Sequence, residues 1–487
     1  MKPGWLYGWM RWHGGQAVMV ARGLGRGRGG LLACLLVCWA AFPAAAPAQD
    51  QGPVHTYTLD NGMRILVRPD DRAPVVSSMV WYRVGSSYEH SGITGISHAL
   101  EHMMFKGTQA HPAGEFSRII SELGGRENAF TGRDYTAYYQ QLASEHLGKA
   151  LELEADRMQH LTLPEEAFRR EMQVIREERR LRTEDDPNAL TWEHFRATAW
   201  FNSPYGQPVI GWMSDIEAFT VKDLRDWYAR WYTPSNALLV VAGDVDPDAV
   251  QRMAQEYFGG IPSRTVPEVK PREEPPQRGE RRITVQAPAR VPYLAMGYKA
   301  PSLPTAAEPW EAYALLVAAG ILDGGDSARI PRELVRGREL AASAGAGYSP
   351  FSRLDTLFTL WATPAPGEDL QAVEAALTGM VARLRESPPT PQELERVKAQ
   401  VIAEDVYRRD SIHGQAMRIG LLESIGLSWR EGEAFAERVQ AVTAEQVQAV
   451  ARKYLLPSRR TVAWLEPVAL ESGGGHETAD DAEGEVR

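Results

Sequence analysis

His98-Ala-Leu-Glu101-His102 places three reactive side chains at a spacing that only a helix brings together. At 3.6 residues per turn, His98 and His102 stand one turn apart on one face, with Glu101 beside them. Two imidazoles so placed can hold one zinc ion, and the neighbouring carboxylate can take a proton from water. Thr94 offers a capping hydroxyl and Gly107 a stop, which predicts a bounded helix of about three turns. A catalytic zinc site usually needs a third protein ligand. The helical periodicity of Glu165–Leu181 offers Glu171, Glu177 and Glu178. Glu171 and Glu178 lie two turns apart on one face, whereas Glu177 points about 100° away from Glu178. That face suits one ligand and one acceptor for a histidine N–H. Taken alone, the same stretch reads rather as a solvated charged helix.

These residues need elements to position them, and the chain is long enough for two to four domains. Of its 487 residues, 44% are hydrophobic and 24% charged, an ordinary globular balance. The acidic net charge of −10, with no basic run interleaved with aromatics, argues against nucleic acid as a partner. Arg22, Arg26 and Arg28 precede the apolar run Leu31–Phe42, and Ala46-Pro47-Ala48 follows with the form of a cleavage site. Residues 1–48 therefore read as a secretory signal peptide, with Met19 an alternative start, and the protein as exported to the periplasm. A membrane association is compatible with the same pattern. Cleavage removes five basic residues and no acidic one, taking the net charge to −15. It also removes Cys34 and Cys38, which leaves no thiol for catalysis or metal binding.

Asn61-Gly62 joins two strand-like runs as a hairpin, and a strand at Val75–Val84 precedes the histidine motif. Helical periodicity recurs at Ala113–Leu123, Glu145–His160 and Val221–Trp231, and Ala237–Gly243 reads as a buried strand. This interspersion favours an α+β fold over a doubly wound parallel sheet. Five prolines between Pro262 and Pro276 mark an extended linker, after which strands return at Ile283–Ala287 and Tyr293–Tyr298. The boundaries expected are 49–261, a linker at 262–280, a second domain at 281–470 and a disordered acidic tail at 471–487. Thr220-Val-Lys-Asp-Leu leads to Tyr232-Thr-Pro234, and Thr443-Ala-Glu-Gln-Val leads to Tyr454-Leu-Leu-Pro457. The two threonines and the two prolines are each offset by 223, which predicts a duplication. At that offset from His98 stands Ile321, so only the first copy can carry a metal.

Several stretches together resemble the pitrilysin/insulinase family of zinc peptidases, the inverzincins. They are Gly95–Thr108 with its H-x-x-E-H order, Glu171 and Glu178, Asn128–Tyr138, Ser203–Gly211 and Tyr232–Asp244. The nearest type is the mitochondrial processing peptidase β-subunit and its bacterial relatives, and the resemblance covers roughly residues 54–465. It implies two tandem homologous α+β domains, each a mainly antiparallel sheet packed with helices. It implies one zinc ion on His98, His102 and Glu178, with Glu101 as general base and Glu171 supporting the site. It also implies a peptide substrate that extends an edge strand at Asn128-Ala129-Phe130. From the residues alone, Asn128 after Gly124-Gly125 reads as a turn.

Complete family sites also use an Arg and a Tyr, seven residues apart, from a second-half domain. With Arg329 aligned to the first arginine of that pattern, those positions hold Val335 and Ala342; Arg336 and Tyr348 are nearby but twelve apart. A missing oxyanion donor costs about 10²–10³ in rate. The expectation is therefore a zinc-bearing subunit of a heterodimer, its Arg and Tyr supplied by a homologous partner without the zinc motif. The alternatives are a homodimer and a non-proteolytic structural or assembly subunit. His55, His90, His111, His146, His160, His194 and His413 show no ligand spacing, and the 14 tryptophans read as packing. Arg179-Arg180-Leu-Arg182 reads as a solvated helix end.

Overall fold

The structure is a computed structural model that describes residues 53–469. The expected signal peptide and acidic tail lie outside the described residues. Asn61-Gly62, with Gly62 at φ +85°, folds β1 (His55–Thr58) back on β2 (Arg64–Pro69). These strands join β3 (Val75–Tyr82), β4 (Arg126–Thr131), β5 (Thr136–Ala143) and β6 (Ala237–Gly243) in the order β1-β2-β6-β3-β5-β4. Only β2 and β6 run parallel.

The second sheet contains β7 (Arg281–Pro288), β8 (Tyr293–Ala300), β9 (Ala341–Gly347), β10 (Thr356–Pro364) and β11 (Arg460–Val468). Its order is β7-β11-β8-β10-β9, with β7 and β11 the parallel pair. Without the β1 hairpin arm, the two sheets have one topology. The helices leading into β6 and β11, Val221–Trp231 and Ala444–Tyr454, both open on a reciprocal capping box, from Thr220 with Asp223 and from Thr443 with Gln446. The chain is thus two α+β halves of one design.

Each sheet buries one face under its own helices. In the first, Ile65, Val67, Val80 and Tyr82 pack with Leu100, Leu151 and Trp227. The opposite face is covered by the other half. Ala416 and Ile419, on the helix Ile412–Ser424, pack on Leu66, Met79 and Trp81. Gly420 makes this approach possible, since a Cβ there would stand 2.1 Å from Trp81 Cε2. In return, Phe195 of the helix Pro187–Ala199 packs on Val285, Ala463 and Leu465 of the second sheet. The halves exchange helices.

The Pro-rich segment 262–280 contains no helix or strand, yet it is fastened along its length. Arg272 donates to the Glu89 carbonyl, and Gln277 to that of Arg460. Glu274 accepts the amides of Phe201, Asn202 and Ser203.

Candidate metal centre

The histidine motif lies on α1 (Ile96–Met103), whose Ile96, Ala99, Leu100 and Met103 are buried in the first core. Burial of that stripe fixes the roll of the helix and turns His98, Glu101 and His102 towards the neighbouring helix and strand. The helix is two turns long rather than three, and Thr94 does not cap it. Gly95 occupies the cap in the left-handed region at φ +89°, where any Cβ would lie 2.3 Å from the Ile210 carbonyl oxygen. Glu89 does the capping, its two oxygens accepting the Gly95 and Ser97 amides at 2.7 and 2.9 Å. The Thr94 hydroxyl instead donates to Asp215 and accepts from the Trp212 amide. Burial pushes the Glu89 carboxyl up to about 7, against the pull of the two amides.

Phe168, Met172 and Ile175 anchor α2 (Glu165–Arg179) in the same core, so Glu171 and Glu178 face α1. Glu178 Oε2 stands 3.7 Å from His98 Nε2 and 3.4 Å from His102 Nε2. Glu171 Oε1 accepts from His102 Nδ1 at 2.9 Å, and its other oxygen meets Lys106 Nζ at 2.5 Å. Glu177 turns away and pairs with Arg180. The charged helix is therefore not simply a solvated one.

Zinc is what the family resemblance implies here, and the donor set fits it. Glu178 Oε2 is buried without any hydrogen-bond donor, between two imidazole nitrogens. The three ligand atoms of His98, His102 and Glu178 lie within 4.8 Å of one another, the one such group among the described residues. The contact of His102 with Glu171 leaves Nε2 for coordination, the arrangement usual for metal-bound histidine. Burial opposes charge on His102, but the Glu171 and Glu178 carboxylates outweigh it and hold the ring at about 9. Burial and the neighbouring His102 push His98 down to about 3. Burial alone would raise Glu178, yet His102, His98 and Arg182 bring it down to about 2. Metal binding at both Nε2 atoms requires His98 and His102 to be neutral, so a cation must displace the extra proton of His102.

Glu101 is buried, and its Oε2 accepts the Thr131 hydroxyl at 2.5 Å. Burial raises its carboxyl above the ordinary range, with the Thr131 hydrogen bond acting against the shift. Thr131 ends β4, an edge strand of the first sheet. Asn128, Ala129 and Phe130 sit in that strand, paired to Tyr139, Tyr138 and Ala137 of β5. The turn suggested for Asn128 by its residues alone is not formed.

Three contacts escaped the sequence reading. Thr131 and Lys106 carry no local signal. Arg182 does, because it lies four residues after Glu178 and its Nη1 meets Glu178 Oε1 at 2.6 Å. A π turn over Arg180–Glu184 carries it back. The supposed solvated helix end is wrong for Arg179 too, which is buried and bonded to Glu193 and the Gly211 carbonyl. Arg336 donates to the Asp326 carbonyl, while the Tyr348 hydroxyl donates to that of Pro301 and its ring stacks on Phe358. Both are engaged within the second half. Ile321 is buried in the helix Pro309–Asp323, among apolar neighbours.

The profile of the insulinase family (peptidase family M16) matches residues 64–212, and that described as the peptidase M16 inactive domain matches 218–401. The chain is 32% identical over 390 residues to the zinc protease PqqE of Helicobacter pylori, covering 78% of this chain and 85% of that one. A protease from Helicobacter pylori solved by crystallography superposes with a TM-score of 0.80 at 28% identity, over 85% of this chain and all of that one. The periplasmic protease PqqL from Escherichia coli superposes at 0.72 and 19% identity, over 88% of this chain and 50% of that one.

Proposed function

The chain belongs to the insulinase family (peptidase family M16), and from that premise we propose that it is a zinc-dependent endopeptidase acting on peptides or unfolded segments. The observation that carries this reading is the donor-free Glu178 oxygen between the two imidazole Nε2 atoms. His98, His102 and Glu178 would hold one zinc ion, and the chemistry it supplies is Lewis acidity that brings a water pKa down towards about 7. Glu171 orients the His102 ring through Nδ1 and is itself held by Lys106. Arg182 occupies Glu178 Oε1, so that Oε2 is the oxygen presented to the metal.

Glu101 is the general base. Thr131 fixes its Oε2, while no hydrogen bond engages Oε1 among the described residues. A carboxyl raised above its ordinary range is better matched to taking a proton from water and returning it to the leaving amine. A substrate peptide laid on β4 as an added strand would run along Asn128-Ala129-Phe130 towards Thr131 and Glu101.

The second half supplies neither a metal ligand at Ile321 nor a free Tyr348. We therefore assign the chain the part of zinc-bearing subunit, completed by a homologous partner that contributes Arg and Tyr. The match takes up 50% of the PqqL chain, which leaves the length expected of a second such unit in one polypeptide. The leader-like N-terminus and the periplasmic description of PqqL support export. Among the described residues no helix is long and apolar enough to cross a membrane. Assaying the zinc-loaded chain against an unfolded protein, alone and with the homologous partner, tests this. Activity only in the mixture supports the heterodimer, full activity alone supports the homodimer, and none in either supports a structural subunit.

A further inference from the structure

At the seam between the halves, the start of β2, the end of the helix Ile412–Ser424 and the turn that follows it to Leu427 meet the end of β3 around a cleft of about 330 Å³. Three guanidinium groups line it, Arg64, Arg83 and Arg353, beside the Tyr88 ring and one carboxylate, Glu423. Two of these cations are already paired. Arg64 Nη1 holds Glu423 Oε2 at 2.5 Å, and the other Glu423 oxygen accepts the Trp429 amide. Arg353 binds Asp134 and the Ser87 hydroxyl, with its guanidinium 4.6 Å from the centre of the Tyr88 ring.

Arg83 differs. Its Nε is buried without a partner, and among the described residues no side-chain hydrogen bond or ion pair reaches its guanidinium. Burial lowers its pKa and the Arg64 charge acts in the same direction, while Glu423 acts against both. A half-buried cation that makes no direct ion pair is unfavourable in a folded chain. Here it borders a cleft large enough for the end of a peptide and too small for a folded domain.

We propose that this cleft binds one carboxylate of a peptide chain on Arg83, between the Arg64–Glu423 and Arg353–Asp134 pairs. Three guanidiniums against two carboxylates leave one positive charge, which a single carboxylate neutralises. The planar fork of arginine matches that group bidentately. Ile425 and Leu427 give the wall an apolar stretch for an aliphatic stem. The cleft shares no residue with the metal centre. Asp134, held by Arg353, lies three residues beyond Thr131, so the occupant reaches the same end of the first sheet as β4. The peptide origin of the carboxylate rests on the peptidase reading, whereas the anion site does not.

The test is calorimetric titration of the full chain carrying Glu101→Gln, which leaves the peptides intact. The probes are acetate, N-acetyl-pentaalanine as free acid, its C-terminal amide, and that amide with one Ala replaced by Glu. The free acid is expected to bind at least about 10-fold more tightly than the amide. That preference should vanish in Arg83→Gln and persist in part in Arg83→Lys. Arg83→Gln should unfold at no lower a denaturant concentration, because it leaves no partner unpaired. A Glu-bearing amide that matches the free acid assigns the carboxylate to a side chain, and one that matches the plain amide assigns it to the chain end; both support the site. An undiminished preference in Arg83→Gln overturns it, as does absence of acetate competition. Acetate bound through Arg83 while acid and amide peptides bind alike overturns the peptide assignment and leaves the zinc reading untouched.

Discussion

His102 gives its Nδ1 to Glu171 at 2.9 Å, and this contact decides which ring nitrogen faces Glu178. Removing the negative charge while keeping the shape isolates that role. Glu171→Gln should lower zinc affinity about 10–100-fold without unfolding the chain. Glu177→Gln, on the exposed side of the same helix, should change nothing. Competition with a chromophoric chelator measures both.

Glu101→Gln should keep its zinc and lose turnover by about 10²–10⁴. The Thr131 hydroxyl still finds an amide oxygen in that variant, so loss of fold does not explain the result. Single-turnover peptide hydrolysis, normalised to bound zinc, checks it.

The exchange of helices between the halves predicts a sensitive spot far from the metal. Gly420→Ala puts a methyl group into the buried Trp81 indole, which has no room to move. The loss should be about 1–3 kcal/mol, read from urea unfolding.

Arg329 clamps Glu393 with two hydrogen bonds of 2.8 and 2.9 Å, and the Thr390 capping box adds to this. Together they hold the Glu393 carboxyl at about 2, below its ordinary 4.5. A depressed folded-state pKa stabilises the protein above pH 4.5, and that stability is lost as pH falls towards 2. Glu393→Gln should therefore be less stable than wild type at neutral pH, with a flatter decline between pH 4.5 and 2. Denaturation midpoints across that window test the sign.

What could be read in the sequence was local or repeated. The hairpin at Asn61-Gly62, the boxes at Thr220 and Thr443, and the one-face placement of Glu171 and Glu178 all follow from spacings of a few residues. The start of α1 could not be read that way, because its cap is Glu89, six residues upstream, while Asp215 draws Thr94 away from across 121 residues. Asn128 carries turn chemistry, yet pairing with β5 overrides it. Nor does any periodicity say which sheet a helix will cover. The helix carrying Ala416 and Ile419 is amphipathic towards the other half's strands, and only the folded chain reveals that.

Metal content tests the account at its root. After saturation with zinc and removal of the excess, mass spectrometry of the purified chain should find one zinc per molecule, and His98→Ala and Glu178→Gln should retain almost none. A wild-type chain that leaves the column without zinc, or variants that carry as much as wild type, would contradict the claim that these three residues form the site.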